Sequence, residues 1–448
     1  MTFNEFKQIV VAKARAMGLT DYELYYQASE STSVSAFQHE VNQFTSSIEG
    51  GVCFRCIVGG KMGYASTEEL SEAQAAAIVE KAADNASVLE AEEQVFLGEG
   101  GKTYRTPDGK TYDLPTTEAL IAKVLDTQEK IYAADPAVID GCSTQGISEC
   151  SRIAIVNSKG LDLSSEVSLS GLVVAAVVTD GKEMANDYQI KLGELSAIDT
   201  DMLTAKAAKT ALRKLGGEVA PTGQYPVVFD PEAMSDLLQT FSSLFSSEAA
   251  QKGLSRFADQ EGKVVAAETV TLMDDPFHPD SPVPMGFDAE GSPTATKAII
   301  EKGKLNTLLY NLKTAAVAGK ETTGNASKAG YDSPVGVRPF TMYLAPGELT
   351  EEELLKKAGN GVYINSLGGL HAGANPVSGD FSLQSAGFMI ENGVKTTAVK
   401  SFTVAGNFYD LLKNITAVAS NVELPAAMGM TNFGAPSVLV EGLSIAGK

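Results

Sequence analysis

The sequence predicts an α+β protein: two helix–antiparallel meander–helix modules, followed by a large, mainly β C-terminal domain. Three observations carry this expectation. Apolar residues recur at helical spacing in four stretches, which bracket two strand-rich tracts. Within those tracts apolar and polar residues alternate between Gly-containing turns. Beyond about residue 270 the pattern becomes short strand-like runs and Gly-rich turns. At 448 residues the chain also exceeds what one hydrophobic core usually serves.

The first module is placed at residues 1–90. Its opening helix covers Thr2–Met17. Thr2 and Glu5 have capping-box spacing, Phe3, Phe6, Val10, Ala14 and Met17 form an apolar stripe, and Gly18 suits the C-terminal cap. Strands are expected at Tyr22–Ala28, Thr32–Phe37, Val41–Ile48 and Val52–Val58, with turns at Gly50-Gly51 and Gly59-Gly60. A second helix is expected over Glu68–Ala86, with Ser66 and Glu69 as its capping box.

Residues 88–113, rich in Glu, Gly and turn formers, read as a loop. The same order then recurs over residues 114–218. A helix at Thr117–Ala133 precedes strands at Ser151–Asn157, Leu161–Leu169, Leu172–Val178 and Ala185–Ile190, a turn at Asp180-Gly181, and a helix at Met202–Leu215. This repetition suggests a duplicated architecture, with two antiparallel sheets that each bury one face against helices. Gly216, Gly217, Pro221 and Gly223 mark a linker. The C-terminal domain, 224–448, opens with a strand at Tyr225–Phe229, followed by Asp230 as N-cap and Pro231 as first helical residue. Further strands are expected at Thr296–Glu301 and Leu305–Leu309, around Lys302-Gly303.

Composition narrows the function classes. The chain carries 56 acidic against 35 basic residues, a formal charge of -21 that repels phosphate and argues against nucleic acid as a direct partner. Lys7, Lys13 and Arg15 interrupt the apolar residues of the N-terminus, so it does not read as a signal peptide. The longest apolar run, Leu172–Val178, is far short of the roughly 20 residues of a spanning helix. A cytoplasmic protein with no membrane partner is expected. The cysteines give neither a disulfide framework nor a zinc knuckle. Cys53 and Cys56 lie in a strand that points them to opposite faces, and with Cys142 and Cys150 they read as buried thiols.

Several chemistries lack their motifs. The three histidines, His39, His278 and His371, are too far apart for any paired-His metal motif. There is no nucleophile elbow and no dinucleotide-binding glycine fingerprint. Gly101-Lys102-Thr103 imitates the end of a phosphate-binding loop, but Phe96 stands where its first glycine is required. His39 reads as a surface residue of a polar hairpin and His278 as a turn residue. His371, between Gly368, Gly369 and Gly373, sits in the kind of loop that carries function.

Three stretches resemble the TldD/PmbA family, also called modulators of DNA gyrase. They are Pro226-Val227-Val228-Phe229-Asp230-Pro231, Phe287-Asp288-Ala289-Glu290-Gly291-Ser292-Pro293-Thr294, and the Gly-rich block from Gly368 to Gly393. Within that block, Ser378-Gly379-Asp380-Phe381-Ser382 followed by Ile390-Glu391-Asn392-Gly393 is the most specific pattern. The resemblance covers essentially the whole chain. TldD-type members carry an HExxxH helix and a downstream cysteine that bind the metal, the glutamate activating a water. Aligned through Gly253-Leu254-Ser255-Arg256-Phe257, the two histidines and the glutamate fall on Leu238, Ser243 and Gln239, and the cysteine near Ile364. None of these can ligate zinc, so the chain resembles the PmbA (TldE-type) branch.

What the resemblance implies is the non-metal-binding subunit of a metallopeptidase complex acting on unfolded or extended peptides. The zinc would sit in a TldD-type partner; no catalytic and no metal-binding residue is assigned here. A homodimer is possible for the chain alone. Side chains expected to bind substrate are His371, Asn375, Ser378, Asp380 and Ser382, for which turn formation is the competing role. Two other functions stay open: a non-catalytic binding or scaffold protein acting as a homo-oligomer, and an enzyme with a non-metal mechanism.

Overall fold

Local capping sets the first helix. The Glu5 N–H donates to the Thr2 hydroxyl and the Thr2 N–H to the Glu5 carboxylate, so α1 runs over Phe3–Ala16. The computed structural model describes residues 1–90, 94–106, 112–425 and 431–448. Parts of the expected 88–113 loop, at 91–93 and 107–111, lie outside the described residues.

The first module continues through β1 (Tyr22–Phe37), β2 (Glu40–Val58), β3 (Lys61–Thr67) and α2 (Glu72–Val88). The second repeats that order as α3 (Thr117–Ala133), β4 (Ser143–Asn157), β5 (Asp162–Thr179), β6 (Met184–Gly193) and α4 (Thr200–Arg213). The strands are fewer and longer than expected. Each expected pair, Tyr22–Ala28 with Thr32–Phe37 and Val41–Ile48 with Val52–Val58, is one strand. The β1–β2 turn lies at Gln38 and His39, whose φ angles of 51° and 69° suit a tight hairpin. Gly50-Gly51 is therefore not a turn. Gly51 lies mid-strand, where an added Cβ would come within 2.6 Å of the Tyr331 ring. Similarly, Leu161–Leu169 and Leu172–Val178 merge into β5. The cap of α2 is Ser71 rather than Ser66, because β3 extends through Ser66 to Thr67.

The expectation of two sheets is also corrected. Strands β1 and β4 pair antiparallel along nearly their whole length, from Glu23 opposite Asn157 to Phe37 opposite Ser143. The result is a single six-stranded sheet, β3-β2-β1-β4-β5-β6, with the two modules as its halves. Its helical face is filled by two cores. Phe6, Val10, Ile78 and Ala82 pack on Leu24, Val52, Phe54 and Cys56. Leu120, Val124, Leu203 and Ala207 pack on Val34, Leu172, Val174 and Ala176. All four cysteines are free and buried.

The C-terminal half begins with β7 (Glu218–Val219), β8 (Gly223–Phe229), α5 (Pro231–Phe241), α6 (Ser247–Gln251), β9 (Leu272–Asp274), β10 (Lys297–Glu301) and β11 (Lys304–Leu305). The expected strand at Leu305–Leu309 shortens to β11. Next come α7 (Leu312–Ala318), β12 (Ala326–Ser327), β13 (Gly336–Val337), β14 (Thr341–Leu344), α8 (Glu351–Ala358), β15 (Gly361–Gly368) and α9 (Leu370–Gly373). The chain closes with β16 (Asp380–Glu391), β17 (Val394–Asn407), α10 (Phe408–Lys413), β18 (Ile415–Val418), β19 (Asn432–Gly434) and β20 (Val438–Ala446).

Strand β20 pairs with both β8 and β17, which closes β8-β15-β16-β17-β20 into a small barrel. A second sheet runs β11-β10-β9-β14-β19. Between them lies α5, whose Leu237, Leu238 and Phe241 pack in one core with Val227, Phe229, Leu272 and Met342. The non-helical face of the N-terminal sheet meets this half through Tyr25, Ile155, Leu161 and Phe287.

Candidate functional site

A helix packed between two sheets should be apolar all round, and α5 is not. Its N-terminus is set by Asp230, which accepts the Ala233 N–H at 2.8 Å, with Pro231 at the first helical position. Most of its surface is then buried. The exception is one stripe at helical spacing, Glu232, Asp236, Gln239, Thr240 and, just past the helix, Ser243, which keeps access to solvent. Near its N-terminal end stand Asp187 and Tyr188 of β6, Lys206 of α4, and Lys214, all close enough for their charges to act on the stripe.

Electrostatics around the stripe favour protonated acids. Desolvation, then the charges of Asp187 and Asp236, push Glu232 up to about 7, against the pull of Lys206 and Lys214. Its surface still reaches solvent, while neighbouring protein displaces part of its hydration. Desolvation alone raises Asp236 to about 6, and burial raises Asp230 to about 7. Asp187 is fixed by the Lys214 ammonium at 2.8 Å. Clustered groups that titrate near neutrality mark functional sites more often than chance allows.

The Gly-rich block adjoins the other end of α5. Helix α9, which carries His371, packs against α5. The Phe241 ring stacks on Phe408 at 4.6 Å and meets Phe381 at 6.2 Å. Three of the five expected site residues form one turn. The Asn375 side-chain oxygen accepts the N–H groups of Val377 and Ser378, the Ser378 hydroxyl accepts the Asp380 N–H, and Asn407 donates to Asp380 at 2.7 Å. Hydrogen bonds from Asn407 and Ser378, helped by the Arg256 charge, hold the Asp380 carboxyl below its ordinary range. His371 and Ser382 are exposed and lie outside that turn. Gly369 alone of the three noted glycines takes a positive φ, 74°. Gly373 is instead small because an added Cβ would lie 2.4 Å from the Ser382 carbonyl oxygen.

A concavity lies on the non-helical face of the N-terminal sheet. It holds about 440 Å³ and is lined mainly by apolar groups, among them Ile147, Ile153, Val167, Leu169 and Met285, with Gln27, Ser33, Gln145, Glu149 and Ser165 between them. An apolar lining with a few polar groups is the usual character of a ligand pocket.

The fold defines a tripartite α+β protein of the kind found in a family of peptidases. Family models for the PmbA/TldA metallopeptidase domain 1, central domain and C-terminal domain match residues 22–86, 110–215 and 222–447. A metalloprotease of Methanothermobacter thermautotrophicus is 28% identical over 88% of this chain and 87% of its own. The metalloprotease PmbA homolog of Haemophilus influenzae is 27% identical over 93% and 90%. Among solved structures, a putative modulator of a DNA gyrase from Thermotoga maritima superimposes with a TM-score of 0.90 at 31% identity, covering 99% of this chain and 100% of that one. TldE from Thermococcus kodakarensis shares the fold, with a TM-score of 0.87 at 23% identity over 98% and 99%. The chain belongs to the PmbA/TldD metallopeptidase family.

The family name implies a metal, and the residues here do not fit one. Leu238 and Ile364 are hydrocarbon side chains with no exposure, buried in the core. Gln239 and Ser243 are exposed but offer an amide and a hydroxyl. Among the described residues, no three His, Cys, Asp or Glu side chains converge as metal ligands. Sequence reasoning missed the acidic stripe. Its signal was present, since Glu232, Asp236, Gln239 and Ser243 follow a recognised N-cap at helical spacing.

Proposed function

We propose that this chain is the non-metal-binding subunit of a TldD/PmbA-type metallopeptidase complex that degrades or processes unfolded or extended peptides. The observation that carries the reading is the stripe on α5. At the positions aligned with the family's metal-binding motif, α5 and the residue just past it offer Leu238, Gln239 and Ser243 where two imidazoles and a carboxylate would be needed. A zinc-bearing TldD-type partner would supply the activated water. This chain's part is to hold peptide: Glu232 and Asp236 take up charge or protons at one end of α5, and His371, Asn375, Ser378, Asp380 and Ser382 present polar groups at the other. The mainly apolar cavity that also holds Gln27 and Gln145 supports the same role.

Co-purification from the native host tests this. A TldD-type chain should accompany this one, and elemental analysis of the separated chains should place zinc only in the partner. About one tightly held zinc per copy of this chain would overturn the reading.

A further inference from the structure

A buried cation without a counter-ion is unexpected in a chain of charge -21. Lys328, just past β12, is 6% exposed, and among the described residues it makes no hydrogen bond and no ion pair. Its ammonium stands 5.0 Å from the centre of the Tyr25 ring. Glu23 and Asp332 act on it only through space, and Glu23 is already held by Arg55 at 2.7 Å. Burial pulls the amine below the ordinary lysine range, and such a charge is costly until an anion joins it. Lys328 lines a pocket of about 40 Å³ together with Arg338, between apolar walls of Tyr25, Phe287, Pro339 and Phe340. The Arg338 Nε–H donates to the Ser327 hydroxyl at 3.3 Å, and its guanidinium makes no ion pair among the described residues. Asp288, the acid in the lining, is already occupied. One of its oxygens accepts the N–H groups of Glu290 and Ser292, and the other accepts that of Ala326.

Ile153 and Met285 wall both this pocket and the cavity of about 440 Å³, so the two spaces adjoin. The small one has room for a carboxylate and the large one for the chain that carries it. In the large one, the Gln27 amide oxygen is buried with no donor among the described residues. A ligand N–H would supply one once that amide turns toward the cavity. We propose that the joined cavity binds the C-terminal end of an extended peptide. The terminal carboxylate pairs with Lys328 and Arg338, and the residues before it lie along the N-terminal sheet. A small carboxylic acid would offer the same anion but no N–H for Gln27, so a peptide is the better match. This binding mode rests on the proposed function and adds to it which end of the peptide the chain holds.

Calorimetric titration of the isolated chain tests this with neither a partner nor cleavage, so its outcome is separate from the co-purification and zinc test above. The probes are acetyl-Ala-Val-Leu-Phe with a free C-terminus, the same peptide as its C-terminal amide, and phenylpropionate as a small free acid. The free-acid peptide should bind at least about tenfold more tightly than the amide, the worth of one charge-assisted pair. Lys328→Met keeps the apolar stem and removes the unpaired charge, so it should fold and lose that preference. Arg338 is exposed, and Arg338→Gln should weaken the preference without disturbing the fold. Should Lys328→Met fail to fold, Arg338→Gln decides alone. Equal binding of acid and amide, no binding of either, or a preference unchanged in the folded variants would each overturn the proposal. So would phenylpropionate binding as tightly as the peptide, which would assign the cavity to a small acid.

Discussion

At the scale of single residues, the most consequential arrangements are charges removed from water. Arg55 and Glu23 are buried within the N-terminal sheet, with the guanidinium 2.7 Å from the carboxylate. Asn157 donates to the second oxygen of Glu23 at 3.1 Å. Breaking one member of such a pair strands the other. Arg55→Met should therefore destabilise the protein by about 3–5 kcal/mol in chemical denaturation. A loss below about 1 kcal/mol would mean that water reaches Glu23 and that the pair is not sealed. His371 is a different case, exposed on α9 beside α5. Under the proposed function, His371→Ala in the assembled complex should raise KM with kcat nearly unchanged, a loss of about 1–2 kcal/mol in kcat/KM. Loss of kcat with the fold intact would make this histidine catalytic.

At the scale of elements, α5 unites the structural and functional claims, and its N-cap makes a pH prediction. Burial holds Asp230 protonated up to about 7 in the folded chain, while the unfolded chain ionises near 3.8. Between those values the folded state binds more protons, so stability falls as pH rises. Asp230→Asn keeps a good cap but cannot ionise. Its melting temperature should fall less between pH 5 and pH 8 than that of the wild type; equal declines would show that Asp230 is not the titrating group. The sequence made α5, its cap and the helices of both modules legible, because caps and helical stripes are local signals. Strand ends were less legible. Gly50-Gly51 reads locally as a turn, yet the ring of Tyr331, 280 positions away, is what needs Gly51 there. The union of both modules in one sheet rests on the β1–β4 pairing, which leaves no short-range mark. The Asn375–Asp380 turn was legible as turn chemistry, whereas the acidic stripe gained meaning only once β6 and α4 were seen near it.

At the scale of the whole molecule, the proposed function makes this chain one part of an assembly. Strand β6, at one end of the N-terminal sheet, leaves Tyr188 58% exposed beside the charges of Glu232 and Asp236. No described helix is long and apolar enough to cross a membrane. Under the proposed function, the activated water that peptide hydrolysis needs at neutral pH comes from the zinc of a TldD-type partner. The most direct test of this division of labour is casein cleavage by the isolated chain, by a TldD-type partner from the same host, and by the two mixed. The account predicts no cleavage by this chain alone, and cleavage by the mixture that a chelator abolishes. Cleavage by the isolated chain that persists in chelator would contradict it.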